Sequence, residues 1–151
     1  MINNKYLRDG RAPIPEKEIT SEIMSKIKGK NTKPELILRK ALWHSGLKGY
    51  RLHWKKVPGK PDIAFPGKKI AIFVNGCYWH RCPICKPSFP KTHQEFWSNK
   101  FKNNIERDKT KINELQNSGW IVIVIWECEL KNDIDNCINR IKEALKLNES
   151  N

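Results

Sequence analysis

Apolar positions along this chain follow a helical period first, then a strand period, then alternate between the two. Thr32-Lys33-Pro34-Glu35 opens the first clear helix. Thr32 is suited to the N-cap, Pro34 to the first turn, and Glu35 to the far end of a capping box. The helix continues through Leu36, Leu38, Ala41 and Leu42 to about Ser45, and Gly46 stops it. A shorter helix is expected over Ser21 to Lys28, ended by Gly29. Strand signals follow at Tyr50 to Trp54, Asp62 to Phe65 and Lys69 to Val74. Val57-Pro58-Gly59-Lys60-Pro61 reads as a tight basic loop and Pro66-Gly67 as a turn. The last two strands then form a hairpin whose open end sets Asp62 beside Val74.

Trp97, Phe101, Ile105, Ile112 and Leu115 share one face of a long helix from about Gln94 to Asn117. Trp120 to Trp126 is apolar on both faces and is expected to be a central strand, ended by Glu127 and Cys128. A last helix is expected from about Asp133 to Leu147. This order predicts an α/β fold, a mixed central sheet flanked by helices. Residues 1–19, polar and interrupted by Gly10, Pro13 and Pro15, are expected to be a flexible arm, and 20–151 a single domain.

Two places break the apolar pattern in an informative way. Asp108 falls on the apolar stripe of the long helix, where a carboxylate must be paired, hydrated or functional. The run VNGCYWHRCPIC, residues 74–85, packs Cys77, Cys82 and Cys85 around His80 and the aromatic pair Tyr78 and Trp79. Cys128 follows the later apolar strand. Four thiolates at this spacing suit a closed, tetrahedral structural Zn²⁺ site. Cys82-Pro83-Ile84-Cys85 alone would fit a redox pair, but the nearby third cysteine argues against it. Cys137, in the last helical pattern, is the spare thiol.

Charge narrows the partner. The formal net charge is +13 and the pI about 9.7, which points to a polyanion, most often nucleic acid. Lys55, Lys56 and Lys60 crowd the loop before Asp62, and Lys100, Lys102, Arg107, Lys109 and Lys111 lie along the long helix. Such cations hold phosphates and carry little sequence information. Tyr78 and Trp79, on a metal-pinned loop, are suited to wedge between base steps, and Trp97 is either core or a third surface ring. No stretch approaches the roughly 18 apolar residues of a membrane span, and residues 1–18 lack a signal-peptide core. The expectation is a cytoplasmic, nucleoid-associated protein that uses no membrane.

Asp62, His80, Glu35 and Asp108 form the second constellation. Phosphodiester hydrolysis at neutral pH needs an activated water and charge neutralisation at phosphorus. A carboxylate such as Asp62 can hold Mg²⁺ against the scissile phosphate. An imidazole such as His80 can take the proton from water.

IMSKIKGKNTKPELILRKAL, PGKPDIAF, IAIFVNGCYWHRC, FWSNKFKNNIERD and GWIVIVIWECEL, in this order, resemble the very short patch repair (Vsr) endonuclease family over roughly residues 20–130. The resemblance implies a restriction-endonuclease-like fold with a structural zinc site. It implies nicking of one DNA strand 5′ to the thymine of a T:G mismatch, the product of 5-methylcytosine deamination. Asp62 would bind Mg²⁺ together with the backbone carbonyl of Val74, and His80 would be the catalytic histidine. Glu35 and Asp108 would be outer acidic residues around metal-bound water. Cys77, Cys82, Cys85 and Cys128 would hold Zn²⁺, and Tyr78, Trp79 and Trp97 would form the wedge. The implied partners are double-stranded DNA with a T:G mismatch and, functionally, a DNA cytosine methyltransferase and a repair polymerase, with the protein acting as a monomer.

Three departures from the family pattern shift the weight among residues. Val74-Asn75 stands where some members have threonine and histidine, and Asn75 cannot act as a base, so His80 carries more. Cys82 stands where some members place a histidine ligand. Phe73-Val74-Asn75 lacks the acidic-x-lysine pair common in restriction enzymes of this fold, which calls for a histidine-based mechanism. The alternatives are a zinc-stabilised DNA-binding module without catalysis and a same-fold nuclease indifferent to mismatches.

Overall fold

A computed structural model describes residues 31–149. The expected arm at 1–19 and the expected helix over Ser21 to Lys28 lie outside the described residues. The described elements are α1 (Lys33–His44), β1 (Arg51–Leu52), β2 (Ile63–Phe65), a 3₁₀ turn (Pro66–Lys68), β3 (Ile70–Asn75), α2 (Gln94–Asn117), β4 (Ile121–Trp126), α3 (Glu127–Asn132) and α4 (Ile134–Glu149). None of the described helices is long and apolar enough to cross a membrane.

The four strands form one mixed sheet in the order β1-β2-β3-β4. β2 and β3 pair antiparallel, with Ile63 opposite Ile72 and Phe65 opposite Ile70. β3 and β4 pair parallel, from Ile70 with Ile121 to Asn75 with Trp126. Parallel neighbours need a crossover, and α2 supplies it. The two-residue period divides the sheet faces. Ile70, Ile72 and Val74 of β3 and Ile123 and Ile125 of β4 join Leu38 and Leu42 of α1 and Ile138 and Ile141 of α4 in the main core. The opposite face turns Phe73, Asn75 and Val124 toward Ile112 and Asp108 of α2. The result is the expected mixed sheet between helices.

Three details differ from the sequence expectation. β4 closes one edge of the described sheet and is not central; β3 has neighbours on both sides. Apolar residues on both faces of β4 record helices above and below it, and say nothing about neighbours in the plane of the sheet. The first strand is only Arg51–Leu52, because His53 takes a left-handed φ of 47° that turns the chain out of the strand. Glu127 and Cys128 do not simply end β4 but open α3, where the Glu129 carboxylate accepts from the Trp126 backbone N–H at 3.1 Å.

Candidate active site and metal cluster

Thr32 caps α1 as expected, its Oγ1 accepting from the Glu35 N–H at 3.4 Å. The reciprocal half of the capping box is displaced by one residue. The Glu35 Oε2 accepts from the backbone N–H of Asn31 at 3.0 Å. Glu35 is only 2% exposed, and the same oxygen also meets Arg39 Nη2 at 3.1 Å and His53 Nε2 at 3.0 Å. Burying a carboxylate this deeply is costly unless such partners satisfy its oxygens.

Asp62 sits at the open end of the β2–β3 hairpin, where its Oδ2 accepts from the Val74 N–H at 2.8 Å. The expected juxtaposition of Asp62 with Val74 is therefore present. Burial pushes the Asp62 pKa up to about 6; the Val74 N–H opposes this shift and nearby Glu35 adds to it. Glu35, His53 and Asp62 each offer a ligand atom within 4.8 Å of the others. Two carboxylates so close fit a hard divalent cation near Asp62.

His80 approaches from the loop after β3. Its Nδ1 lies 2.6 Å from Asp108 Oδ2 on α2. A carboxylate at Nδ1 makes that nitrogen the donor and leaves Nε2 as the acceptor. The loop is braced from below by Asn104, whose Nδ2 donates to the Trp79 carbonyl at 3.2 Å. Asp62, Glu35, His80, Asp108 and the Val74–Asn75 strand end all line one cleft of about 890 Å³. Lys55 and Lys60 also line this cleft. Lys56 does not; its ammonium lies 5.3 Å from the Trp54 ring.

Beside the cleft, Tyr78 and Trp79 meet edge to face at 5.0 Å, and Trp97 lies 5.6 Å from Trp79. Both tryptophans rest on Phe101, which is buried. Tyr78 remains 36% exposed. The rings thus form a supported ridge with an accessible edge, suited to stacking against bases.

The four expected cysteines come together. Cys77, Cys82, Cys85 and Cys128 place their sulfurs within 4.8 Å of one another, and Cys82 and Cys128 are 3.7 Å apart. A tetrahedral Zn²⁺ with bonds of about 2.3 Å requires sulfur separations of about 3.8 Å. Backbone N–H groups of Ile84 and Cys128 point at Cys82 Sγ and Cys77 Sγ, at 3.4 Å and 3.3 Å. Such donors suit thiolate ligands. Burial pushes the Cys77 thiol up. At Cys82 burial also acts upward, but N–H groups and neighbouring sulfurs outweigh it and the net direction is down. The donor set fits zinc. Cys137 is fully buried in the main core, away from this cluster.

Sequence reasoning missed several residues here. His53 had no signal beyond its place in a short strand, and only its left-handed backbone brings it to Glu35. Lys111 and Glu127 line the cleft as well. Their sequence context places Lys111 only on the basic surface of the long helix and Glu127 only at a strand end. Arg81 was unremarked. Its guanidinium lies 4.5 Å from the Phe101 ring and donates to the carbonyls of Pro87 and Ser88, which ties the cysteine loop down.

Residues 13–86 match the family described as DNA mismatch endonuclease Vsr. The type II nicking enzyme V.NmeAIP of Neisseria meningitidis serogroup A / serotype 4A is 40% identical over 131 residues, covering 83% of this chain and 93% of that protein. The chain belongs to the Vsr family. The DNA mismatch endonuclease Vsr of Escherichia coli (strain K12) is 35% identical to it over 120 residues, 80% of this chain and 76% of that protein. The type II nicking enzyme V.XorIIP of Xanthomonas oryzae pv. oryzae is 41% identical over 108 residues, 72% and 79% of the two chains. The Vsr match covers the cleft-lining segments from Thr32 to His80 and three of the four clustered cysteines.

Proposed function

We propose that this protein is a Mg²⁺-dependent DNA mismatch endonuclease that nicks one strand 5′ of the thymine in a T:G mismatch. On this reading the fold is restriction-endonuclease-like and the cysteine cluster holds a structural Zn²⁺. The reading is carried by one observation: Asp62, Glu35 and the His80–Asp108 pair converge in one cleft beside an aromatic ridge. Deaminated 5-methylcytosine would supply the mismatch, linking the activity to a DNA cytosine methyltransferase and a repair polymerase.

Lys55, Lys56 and Lys60 hold the duplex backbone near the cleft, a contact weakened by salt. Tyr78, Trp79 and Trp97 enter the step at the mismatch, where stacking is already weak. Asp62 and the Val74 carbonyl would hold Mg²⁺, which supplies charge neutralisation at the scissile phosphate when bound. His80 Nε2 takes a proton from the attacking water. The new P–O bond forms as the bond to the 3′ oxygen breaks, and that oxygen takes a proton from solvent water, giving a 5′-phosphate and a 3′-hydroxyl. Asp108 holds the His80 ring and its proton at Nδ1, and Glu35 orders water on the cleft floor.

Strand-specific cleavage of labelled T:G and T:A duplexes at equal salt tests the assignment. A nick 5′ of the mismatched thymine, with the matched duplex cut at least about tenfold more slowly, is the expected result; specific sites and their competitors differ by such factors. Equal cutting of both duplexes points to a nuclease indifferent to mismatches, and binding without cutting to a DNA-binding module. Asp108→Asn offers an amide in place of the carboxylate and frees the His80 ring from its fixed tautomer. Its single-turnover rate is expected to fall by about 10²-fold, the lower end for loss of general-base catalysis, with DNA affinity little changed. A rate within a factor of about two of the parent would remove Asp108 from the role of orienting His80.

A further inference from the structure

We infer that His53 is a positioning residue of the cleft, holding the Glu35 carboxylate in the pose that orders a hydrated divalent cation beside Asp62. This rests on the metal role proposed for Asp62 and adds a residue to it.

His53 lies close to both carboxylates, Glu35 and Asp62, at the edge of the cleft they line. Its Nε2 is 3.0 Å from Glu35 Oε2, and a ligand atom of Asp62 lies within 4.8 Å of both. Its backbone is tied to the same aspartate, because the His53 N–H donates to the Asp62 carbonyl at 3.0 Å. One residue therefore fixes a side chain on α1 through its ring and the start of β2 through its amide. The left-handed φ of 47° makes this possible. Non-glycine residues seldom adopt that region without a reason, and such outliers gather at functional sites. The two preceding residues, Arg51 and Leu52, are exposed, whereas the His53 side chain is 16% exposed and turned inward to Glu35.

The ring does a job that the other partners of Glu35 do not. Asn31 and Arg39 belong to the same helical end as Glu35 and move with it. His53 alone among these donors comes from the segment after β1, so it is the one of them that ties Glu35 to the chain beside Asp62. Two neighbouring carboxylates repel one another, and a cation placed between them needs both held in advance.

The test compares His53→Leu, which removes the donor, with His53→Gln, which keeps an N–H at similar reach. The readouts are the Mg²⁺ concentration for half-maximal nicking of a T:G duplex, the rate at saturating Mg²⁺, and Mn²⁺ binding to the DNA-free protein by electron paramagnetic resonance. Far-UV circular dichroism and zinc content confirm folding. His53→Leu is expected to raise the half-maximal Mg²⁺ and weaken Mn²⁺ binding about tenfold, the size seen when an outer partner of a metal ligand is lost. The saturating rate should fall less than about threefold, and His53→Gln should recover most of the metal affinity. Unchanged Mn²⁺ binding in His53→Leu overturns the inference, as does an equal loss in both variants. If instead Asp62→Asn nicks normally, the metal assignment itself fails whatever His53 does.

Discussion

Asp62→Asn is expected to melt a few degrees above the parent in Mg²⁺-free buffer near neutral pH, while losing about 10³-fold in nicking rate. The two effects share one cause. Burial raises the Asp62 pKa to about 6, so at neutral pH the folded chain holds a charge that it would hold at less cost when unfolded. The sign follows from proton counting. Between the ordinary value of 3.8 and about 6, the folded state binds more protons than the unfolded one, so stability falls as pH rises. This group's contribution is full below the lower value and is lost as pH passes the upper one. The ceiling is about 3 kcal/mol, from roughly two pH units at 1.36 kcal/mol each. Asparagine keeps an oxygen to accept the Val74 N–H and carries no charge.

Bound Mg²⁺ reverses the balance by favouring the ionised carboxylate. Added MgCl₂ should therefore raise the melting temperature of the parent and leave Asp62→Asn unmoved. In the parent at limiting Mg²⁺, nicking should rise with pH as the carboxylate ionises, with a midpoint that moves below about 6 as MgCl₂ is raised. Calorimetry with and without MgCl₂, beside a nicking assay, measures all of this. A variant that melts lower and still nicks would sink the assignment. The buffer must hold no chelator, because the cysteine cluster would lose its metal too.

That cluster underlies the second large effect. The purified protein is expected to carry about one equivalent of zinc, and Cys82→Ser to lose it, melt about 10 °C lower and stop nicking. Cys82 is 2% exposed and its sulfur lies 3.7 Å from that of Cys128, 46 residues on. Metal bonds from Cys77 to Cys128 would close a loop spanning 51 residues. By the loop-closure estimate used for disulfides, such a tie contributes about 4 kcal/mol. Activity falls for a second reason: His80, Tyr78 and Trp79 lie on the chain between Cys77 and Cys82, and lose their fixed placement. Cys137→Ser is the control, since it alters a buried thiol of the main core and should leave zinc content unchanged. Metal analysis decides the matter; a Cys82→Ser protein that keeps its zinc, or a parent that never had any, contradicts the assignment.

Much of this arrangement was legible in the sequence because it rests on periodicity and covalent spacing. The helix over Gln94–Asn117 carried its stripe in the open, and the hairpin brought Asp62 to Val74 through turn chemistry alone. The cysteine spacing foretold the cluster. What escaped reading depends on single backbone torsions and on layers. No residue type announces that His53 will take a left-handed turn. The apolar run of β4 could not say whether its in-plane neighbours were one or two. The His80–Asp108 pair lay between these cases. The stripe flagged Asp108 as out of place, but 28 residues separate the partners, and only the docking of α2 beside the loop after β3 joins them.

Synthesis proceeds from the N-terminus, so Asp62, His80 and Asp108 are all translated before Cys128. Until β4 docks beside β3, β3 lacks its parallel partner and the cysteine loop lacks its fourth sulfur. A chain stopped before Cys128 therefore carries Asp62, His80 and Asp108 but has neither the parallel partner of β3 nor the fourth sulfur beside the cysteine loop.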